Sequence, residues 1–174
     1  LYTEGNIFRT LIVPGCKYIP AETFAQIMKL ANDGALIIIY GELPQHAAGL
    51  DLTGEKTMVF DRMKSSINFQ PTNNPAVSRA IFGKGRILAG NDLNEILSFA
   101  GIRREPMAEH NLKFVRRETG NGYTWFIVNS GEKDFKGWLP LNAQASSAGI
   151  FNPMTGKSGL ADIRNSSDKH TEVY

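Results

Sequence analysis

The chain has 174 residues, a formal net charge of +2 and a composition that is 42% hydrophobic and 21% charged, which is ordinary for a soluble globular protein of one large domain or two small ones. Its lysines and arginines are scattered, so the sequence carries no basic footprint for nucleic acid. The longest strongly apolar run, residues 35–40, is too short to cross a bilayer, and we expect neither nucleic acid nor a membrane as a partner.

The first hundred residues alternate between predicted strands and helices. Residues 8–13 form a short apolar run rich in branched side chains, which predicts a strand. Pro20 opens a helix, and Gly34 is placed to end it in a left-handed conformation. The buried stripe of this helix is predicted to be Phe24, Ile27, Met28 and Ala31. Residues 35–40 show no polar alternation, so we predict a central parallel strand, buried on both faces, beside residues 8–13.

A weaker helix, a hairpin and a third helix complete this segment. The weaker helix is indicated by Val59, Phe60, Met63 and Ile67. Two short apolar runs, residues 80–82 and 86–88, flank the glycines of residues 83–85, which predicts a hairpin or a tightly kinked strand. Asn91 or Asp92 can cap the helix that follows.

The pattern changes near residue 103, where short β runs separated by turn residues begin. The predicted strands are residues 112–117, 123–129, 135–141 and 160–164, with a hairpin turn at 120–122. Residues 171–174 resemble the start of another strand. Four strands are few for a sandwich, which usually has about seven. The predicted fold class is therefore α/β, with a flavodoxin-like parallel-sheet segment at 1–102 and a partial all-β sandwich segment at 103–174, truncated at its C-terminus.

Six sequence motifs occur in a characteristic order along the chain. They are LIVPGCKYIP (11–20), LANDGA (30–35), YGELP (40–44), FGKGRIL (82–88), the pair KFVRR (113–117) with YTWFIVN (123–129), and FNPMTGK (151–157). In this order they resemble the family-106 glycoside hydrolases, which are α-L-rhamnosidases. One departure is Asn152, where the family usually has Asp. The resemblance covers nearly the whole chain.

The resemblance implies a C-terminal, non-barrel portion of a multidomain glycosidase that acts on plant or microbial polysaccharides. Residues 1–102 would be a glutamine-amidotransferase-like but non-catalytic segment, and residues 103–174 the β-sandwich-like one. The partner would be the remainder of the parent enzyme, with its catalytic barrel. A periplasmic or secreted parent would suit this role. None of the family's catalytic carboxylates or metal ligands matches a residue here.

The carboxylates of the chain do not form a catalytic constellation. Glycoside hydrolysis usually needs two carboxyl groups that face one glycosidic bond. The acidic residues that we considered are predicted in loops, caps and helix surfaces: Glu22, Asp33, Glu42, Asp51, Asp61, Asp92 and Glu95. His, Cys, Asp and Glu do not cluster at metal-ligand spacing. We therefore assign no catalytic residue, no metal site and no cofactor, and we expect the fragment alone to be inactive.

Cys16 offers one alternative function. It follows a predicted strand and precedes a helix, where α/β folds place nucleophiles and a helix N-terminus favours a thiolate. Class-I glutamine amidotransferases use such a cysteine in a Gly-x-Cys-x-Gly turn. Here Tyr18 stands at the second glycine position, and Pro20 delays the helix. A packed, structural cysteine is the favoured interpretation, and a small Cys16-dependent α/β enzyme is the alternative.

The aromatic residues offer another alternative. Tyr123, Trp125 and Trp138, with Phe135, could stack on a sugar ring, as in carbohydrate-binding modules. Aromatic residues at alternating strand positions more often pack in a core or at a domain interface. A carbohydrate-binding module that uses Tyr123, Trp125 and Trp138 is the alternative interpretation.

An incomplete sandwich leaves strand edges unpaired and an apolar face uncovered. We therefore expect the β segment either to dock on the α/β segment or to form a homodimer.

Overall fold

A computed structural model describes residues 2–3, 6–120, 122–166 and 170–174. The chain divides into two compact units, residues 1–102 (unit 1) and residues 103–174 (unit 2). Asn121, at the centre of the predicted hairpin turn, lies outside the described residues. At the coarse level the protein is a mixed α/β chain with small sheets.

Strands and helices alternate along the described part of unit 1. The strands are β1 (Tyr2–Thr3), β2 (Asn6–Ile7), β3 (Thr10–Pro14), β4 (Tyr18–Pro20), β5 (Leu36–Tyr40), β6 (His46–Ala48), β7 (Gln70–Pro71), β8 (Ser78–Phe82) and β9 (Gly85–Gly90). The helices are α1 (Ala21–Asn32), α2 (Glu55–Ser65) and α3 (Leu93–Phe99). The main sheet has the order β3-β5-β9-β8-β7, while β1 pairs with β2 and β4 pairs with β6.

Strand β5 lies in parallel between β3 and β9. Ile37, Ile38 and Ile39 are at most 2% exposed, so both faces of the strand are covered. The prediction of a central parallel strand at residues 35–40 is confirmed. The sheet as a whole is mixed, because β8 and β7 continue it in antiparallel fashion from the hairpin predicted around residues 83–85.

Helix α1 covers one face of this sheet. All four residues of the predicted stripe are buried: Phe24, Ile27, Met28 and Ala31. They pack against Val13, Ile37 and Ile87 of the sheet. The helix ends in a Schellman arrangement, in which Gly34 has φ +114° and the Ala35 amide donates to the Leu30 carbonyl at 2.9 Å.

The second, weaker helix that the sequence predicts is confirmed as α2, which buries little of its surface. Phe60 is fully buried, with its ring centroid 4.9 Å from that of Phe24. Val59 is 50% exposed, because adjacent helical residues point about 100° apart and only one of them faces the core. Ile67 is buried, but it lies beyond the end of the helix.

Helix α3 covers the opposite face of the sheet. Asp92 is its cap and accepts hydrogen bonds from the amides of Asn94 and Glu95. Ile96 and Leu97 pack against the sheet residues that face away from α1. None of the helices within the described ranges has the length and apolarity needed to cross a membrane.

Unit 2 consists of a short 3₁₀ helix and small antiparallel sheets. The 3₁₀ helix spans Pro106–His110, and the strands are β10 (Leu112–Thr119), β11 (Gly122–Asn129), β12 (Leu139–Leu141), β13 (Gly149–Phe151), β14 (Ser158–Leu160), β15 (Ile163–Asn165) and β16 (Thr171–Val173). Strands β10 and β11 form one hairpin, β13 and β14 another, and β16 lies between β12 and β15.

The core of unit 2 is small, with Met107, Leu112 and Leu141 at its centre. The strand predicted at residues 135–141 is shorter than expected, and the one predicted at 160–164 is divided between β14 and β15. Residues 171–173 form a strand, as their sequence indicated. The small sheets support the mixed assignment, whereas they establish neither a flavodoxin-like nor a sandwich arrangement.

Candidate functional site

The polar centre of unit 2 is the carboxylate of Glu105, a residue that is only 9% exposed. One carboxylate oxygen, Oε1, accepts hydrogen bonds from Arg116 Nη1 at 3.0 Å and from Trp125 Nε1 at 3.2 Å. The other oxygen, Oε2, accepts from the amide of Asn142 at 2.9 Å. Three donors from three separate segments therefore converge on one buried side chain.

The local sequence explains how these groups meet. Glu105 precedes Pro106, and a residue before proline is held in an extended conformation, which is observed here with φ −73° and ψ 118°. The β10–β11 hairpin pairs Arg116 directly with Trp125, so the two side chains lie on the same face of the hairpin. Asn142 follows β12, and its side-chain amide donates to the carbonyl of Arg103 at 3.3 Å.

Two of the three predicted sugar-contacting residues lie beside this carboxylate. The ring centroids of Tyr123 and Trp125 are 5.7 Å apart. The guanidinium of Arg116 lies 4.2 Å from the Tyr123 centroid and 5.6 Å from that of Trp125. Because a planar guanidinium stacks on aromatic faces, Arg116 occupies ring surface that a sugar would otherwise use.

The third predicted residue, Trp138, belongs to a different cluster. Its ring centroid lies 5.4 Å from that of Tyr174, and the guanidinium of Arg164 lies 4.5 Å above its ring. Arg164 is also paired with Glu172 on the neighbouring strand. The aromatic residues that the sequence groups as one platform therefore fall into two clusters, each with its own arginine.

Sequence reasoning missed Glu105, although a signal for it exists. The predicted turn at residues 120–122 fixes the hairpin register, and that register places Arg116 opposite Trp125 on one face. A guanidinium and an indole N–H side by side form a donor pair that needs an acceptor when it is partly buried. The register does not identify the acceptor, because Glu105 is distant from Trp125 in the sequence.

An open concavity of about 530 Å³ lies on the same unit. Its apolar floor is formed by Leu112, Ile127, Phe135 and Leu139. Asp134 and Lys136 stand at its rim, and within the described ranges neither side chain makes a hydrogen bond or ion pair. This volume is in the range of small-molecule sites.

Cys16 lies in unit 1, in the connection between β3 and β4. It is partly buried and packs against the core cluster beneath α1. His46 follows on β6, where it pairs with Tyr18, and the two rings lie 5.5 Å apart. The cysteine thus contacts the apolar core of the unit, while the imidazole that lies nearby in the fold stacks on a tyrosine.

Several of the predicted surface carboxylates support local structure. Glu22 and Lys56 form an ion pair of 2.8 Å, in which their hydrogen bond lowers the pKa of Glu22 and raises the pKa of Lys56. The pKa of Asp51 is lowered chiefly by the hydrogen bond that it accepts from the amide of Thr57. Across the described residues, no group of three or more His, Cys, Asp or Glu side chains is arranged to hold a metal ion.

Comparisons with known proteins give a distant likeness. No family model matches the chain, and no curated protein matches it either. Among the solved structures that match is the crystal structure of a beta-galactosidase from Bacillus circulans sp. alkalophilus, which is 10% identical with a TM-score of 0.49. The match covers 95% of this chain and 32% of that chain, so this chain spans about a third of that protein's length.

Proposed function

We propose that this chain is a non-catalytic structural portion of a larger glycoside hydrolase that resembles the α-L-rhamnosidases. One observation carries the proposal. The motifs of the resemblance lie at helix ends, strand ends and hairpin turns. There they determine the turn conformations, the short backbone–backbone contacts and the strand pairing. This use of the motifs supports a scaffold role.

Two motifs of unit 1 interlock beneath the end of α1. LANDGA (30–35) forms the Schellman end of that helix, and FGKGRIL (82–88) forms the β8–β9 hairpin. The Lys84 amide donates to the Asn32 carbonyl at 2.9 Å. A Cβ at Gly85 would lie 2.2 Å from the Ala31 carbonyl oxygen, so only glycine fits at this contact.

Two further motifs meet at the other end of the parallel strands. Gly15, in LIVPGCKYIP, passes so close to YGELP that a Cβ there would lie 3.1 Å from the Tyr40 carbonyl oxygen. Gly41 adopts φ +97°, and its amide donates to the Gly90 carbonyl at 2.8 Å. The glycines of the two motifs thus allow neighbouring strand ends to approach each other.

The motifs of unit 2 follow the same rule. KFVRR and YTWFIVN form the paired strands that present Arg116 and Trp125 to Glu105. FNPMTGK forms the β13–β14 turn, in which Asn152 Oδ1 accepts hydrogen bonds from the amides of Met154 and Thr155. Asn can accept these bonds as well as Asp, so the substitution at this position is compatible with the turn.

Exposed apolar surface supports attachment to a larger protein. On the outer face of the β10–β11 hairpin, Val115, Phe126 and Val128 are each more than 40% exposed. On the β13–β14 hairpin, Phe151 is 78% and Leu160 is 91% exposed. Apolar patches of this kind often mark interfaces, and we propose that the parent's barrel domain or a second copy of the chain covers them.

The proposal is tested by an activity assay. We expect the purified chain to leave nitrophenyl α-L-rhamnoside and a panel of other nitrophenyl glycosides unhydrolysed, with a full-length α-L-rhamnosidase as the positive control. Turnover that co-purifies with the chain and disappears when one of its Asp or Glu residues is replaced would overturn the proposal. General acid–base catalysis alone contributes roughly 10²–10⁴-fold, so the difference is readily measured.

Carbohydrate binding is a second candidate function, and the concavity of unit 2 favours it. Its floor offers the Phe135 ring, and the rim offers Asp134 and Lys136, an arrangement suited to a sugar with one apolar face. Titration with neutral oligosaccharides, compared between the native chain and Phe135→Ala, tests this candidate. Binding that Phe135→Ala leaves unchanged would exclude it.

A further inference from the structure

A second concavity lies in unit 1, at the amino ends of the parallel strands. Thr10 pairs with Leu36, Leu36 with Arg86, and Arg86 with Ile81, so these four residues form one row across four strands. Side chains that are paired in this way lie on the same face of a sheet. The row borders an open cavity of about 530 Å³.

Three cations surround this cavity, although they are far apart in the sequence. Arg9 precedes β3, Lys84 lies in the β8–β9 turn, and Arg86 belongs to the row itself. None of the described residues that line the cavity is acidic. Within the described ranges, none of the three cations takes part in an ion pair. Such a concentration of one charge attracts an anion into a cleft.

Apart from Thr10, the other side chains that line the cavity are apolar. Leu36 and Ile81 form the sheet side, and Ala100 and Ile102 form the side that follows helix α3. The carboxyl ends of α1 and α3 lie beside the cavity, at Gly34 and Ala100. Each carries a partial negative charge of about half a unit, so together they reduce but do not cancel the three full positive charges. The cavity therefore combines three cations with apolar side chains on two sides.

We propose that this cavity binds an acidic saccharide, with the carboxylate or sulfate of the sugar held by Lys84, Arg86 and Arg9. Guanidinium groups bind such oxyanions in bidentate fashion. The apolar wall contacts the C–H face of the sugar ring. The volume lies in the range of small-molecule sites. The saccharide part of this inference rests on the proposed function, whereas the anion part rests on the geometry alone.

The test is a calorimetric titration of the whole chain with trigalacturonic acid at low salt. We expect binding that weakens as salt is added, because exposed charges are screened. The variant Lys84→Gln/Arg86→Gln should weaken binding at least about tenfold. Lys29→Gln/Arg62→Gln removes the same charge from the exposed surface of two helices and serves as the matched control, which should bind as the native chain does.

The remaining arms separate the possible outcomes. Maltotriose, a neutral trisaccharide, should not bind, and inorganic sulfate should compete with trigalacturonate. Three results would each overturn the inference. The two double variants could lose binding equally, maltotriose could bind at this site, or sulfate could bind where trigalacturonate does not. Failure of trigalacturonate to bind leaves the assay on rhamnosides unaffected, so the two proposals fail separately.

Discussion

Arg116 and Trp125 lie directly opposite each other in the β10–β11 hairpin, and both donate a hydrogen bond to the same oxygen of Glu105. The amide of Asn142 satisfies the other oxygen. This carboxylate therefore connects the hairpin to the segment that follows β12, where Asn142 is 37 residues from Glu105 in the sequence. A buried acceptor with three donors is costly to alter, because each donor that loses its partner remains partly desolvated.

The first prediction concerns this acceptor. Glu105→Gln should destabilise unit 2 by about 2 kcal/mol, a value reduced from that of a fully buried ion pair because the Arg116 side chain is 31% exposed. Both tryptophans of the chain lie in unit 2, so denaturant unfolding followed by tryptophan fluorescence reports on this unit. Glu132→Gln, at an exposed loop position, is the control. Equal midpoints for the two variants would contradict the role assigned to Glu105.

The second prediction concerns the close contact between the end of α1 and the β8–β9 hairpin. Gly85→Ala should destabilise unit 1 by about 2 kcal/mol or more, because the new methyl group would meet the carbonyl oxygens of Ala31 and Ala35 at 2.2 and 2.4 Å. Far-UV circular dichroism during unfolding measures the loss of the helices of unit 1. Gly159→Ala adds the same methyl group where nothing lies within 4 Å, and it should be nearly neutral.

A variant Gly85→Ala that unfolds like the native chain would show that α1 and the β8–β9 hairpin are not in close contact. That result would also weaken the proposed scaffold role of the LANDGA and FGKGRIL motifs, because their interlocking depends on this glycine.

The third prediction concerns pH. The pKa of Asp51 is lowered in the folded chain, chiefly by the Thr57 amide, so its carboxylate stabilises the fold above its unfolded pKa of about 3.9. This contribution is lost as the pH falls through the lower, folded pKa. Asp51→Asn should therefore reduce stability at neutral pH and have no effect in strong acid, as measured by thermal unfolding. Asp61→Asn, on the exposed surface of α2, should lack this pH-dependent difference.

The fourth prediction concerns association. We expect the native chain to self-associate with increasing concentration, because the β13–β14 hairpin exposes Phe151 and Leu160. Phe151→Ser/Leu160→Ser should shift the sedimentation coefficient towards that of the monomer. Leu50→Ser/Leu52→Ser removes two equally exposed leucines from unit 1 and is the control. A native chain that stays monomeric at all concentrations would leave the barrel domain as the proposed partner.

Local signals in the sequence predict much of unit 1. The unbroken apolar run at residues 35–40 indicates burial on both faces, and the glycine at 34 indicates positive φ, which the structure has at +114°. The apolar residues from 59 to 67 indicate the second helix, which the structure has as α2. They do not show which of Val59 and Phe60 faces the core, because that depends on where the sheet lies.

Sites that depend on distant pairing were harder to predict. Glu105 accepts its three hydrogen bonds only because the β10–β11 register pairs Arg116 with Trp125 and because the chain passes Glu105 again at Asn142. The cations Arg9, Lys84 and Arg86 appear scattered in the sequence, and only the alignment of β3, β5 and β9 brings them to one cavity. Long-range convergence of this kind leaves no local pattern in composition or periodicity.

The position of β16 in its sheet also bears on the order in which the chain folds. Residues Thr171–Val173 lie between β12 and β15, and among the described strands each of those two pairs with β16 alone. During synthesis, this sheet cannot begin to form until residue 173 has left the ribosome, whereas the strands of unit 1 are complete by residue 90. Because domains generally fold as units in the order of their synthesis, unit 1 should already be folded while the β12–β16–β15 sheet of unit 2 still lacks its central strand.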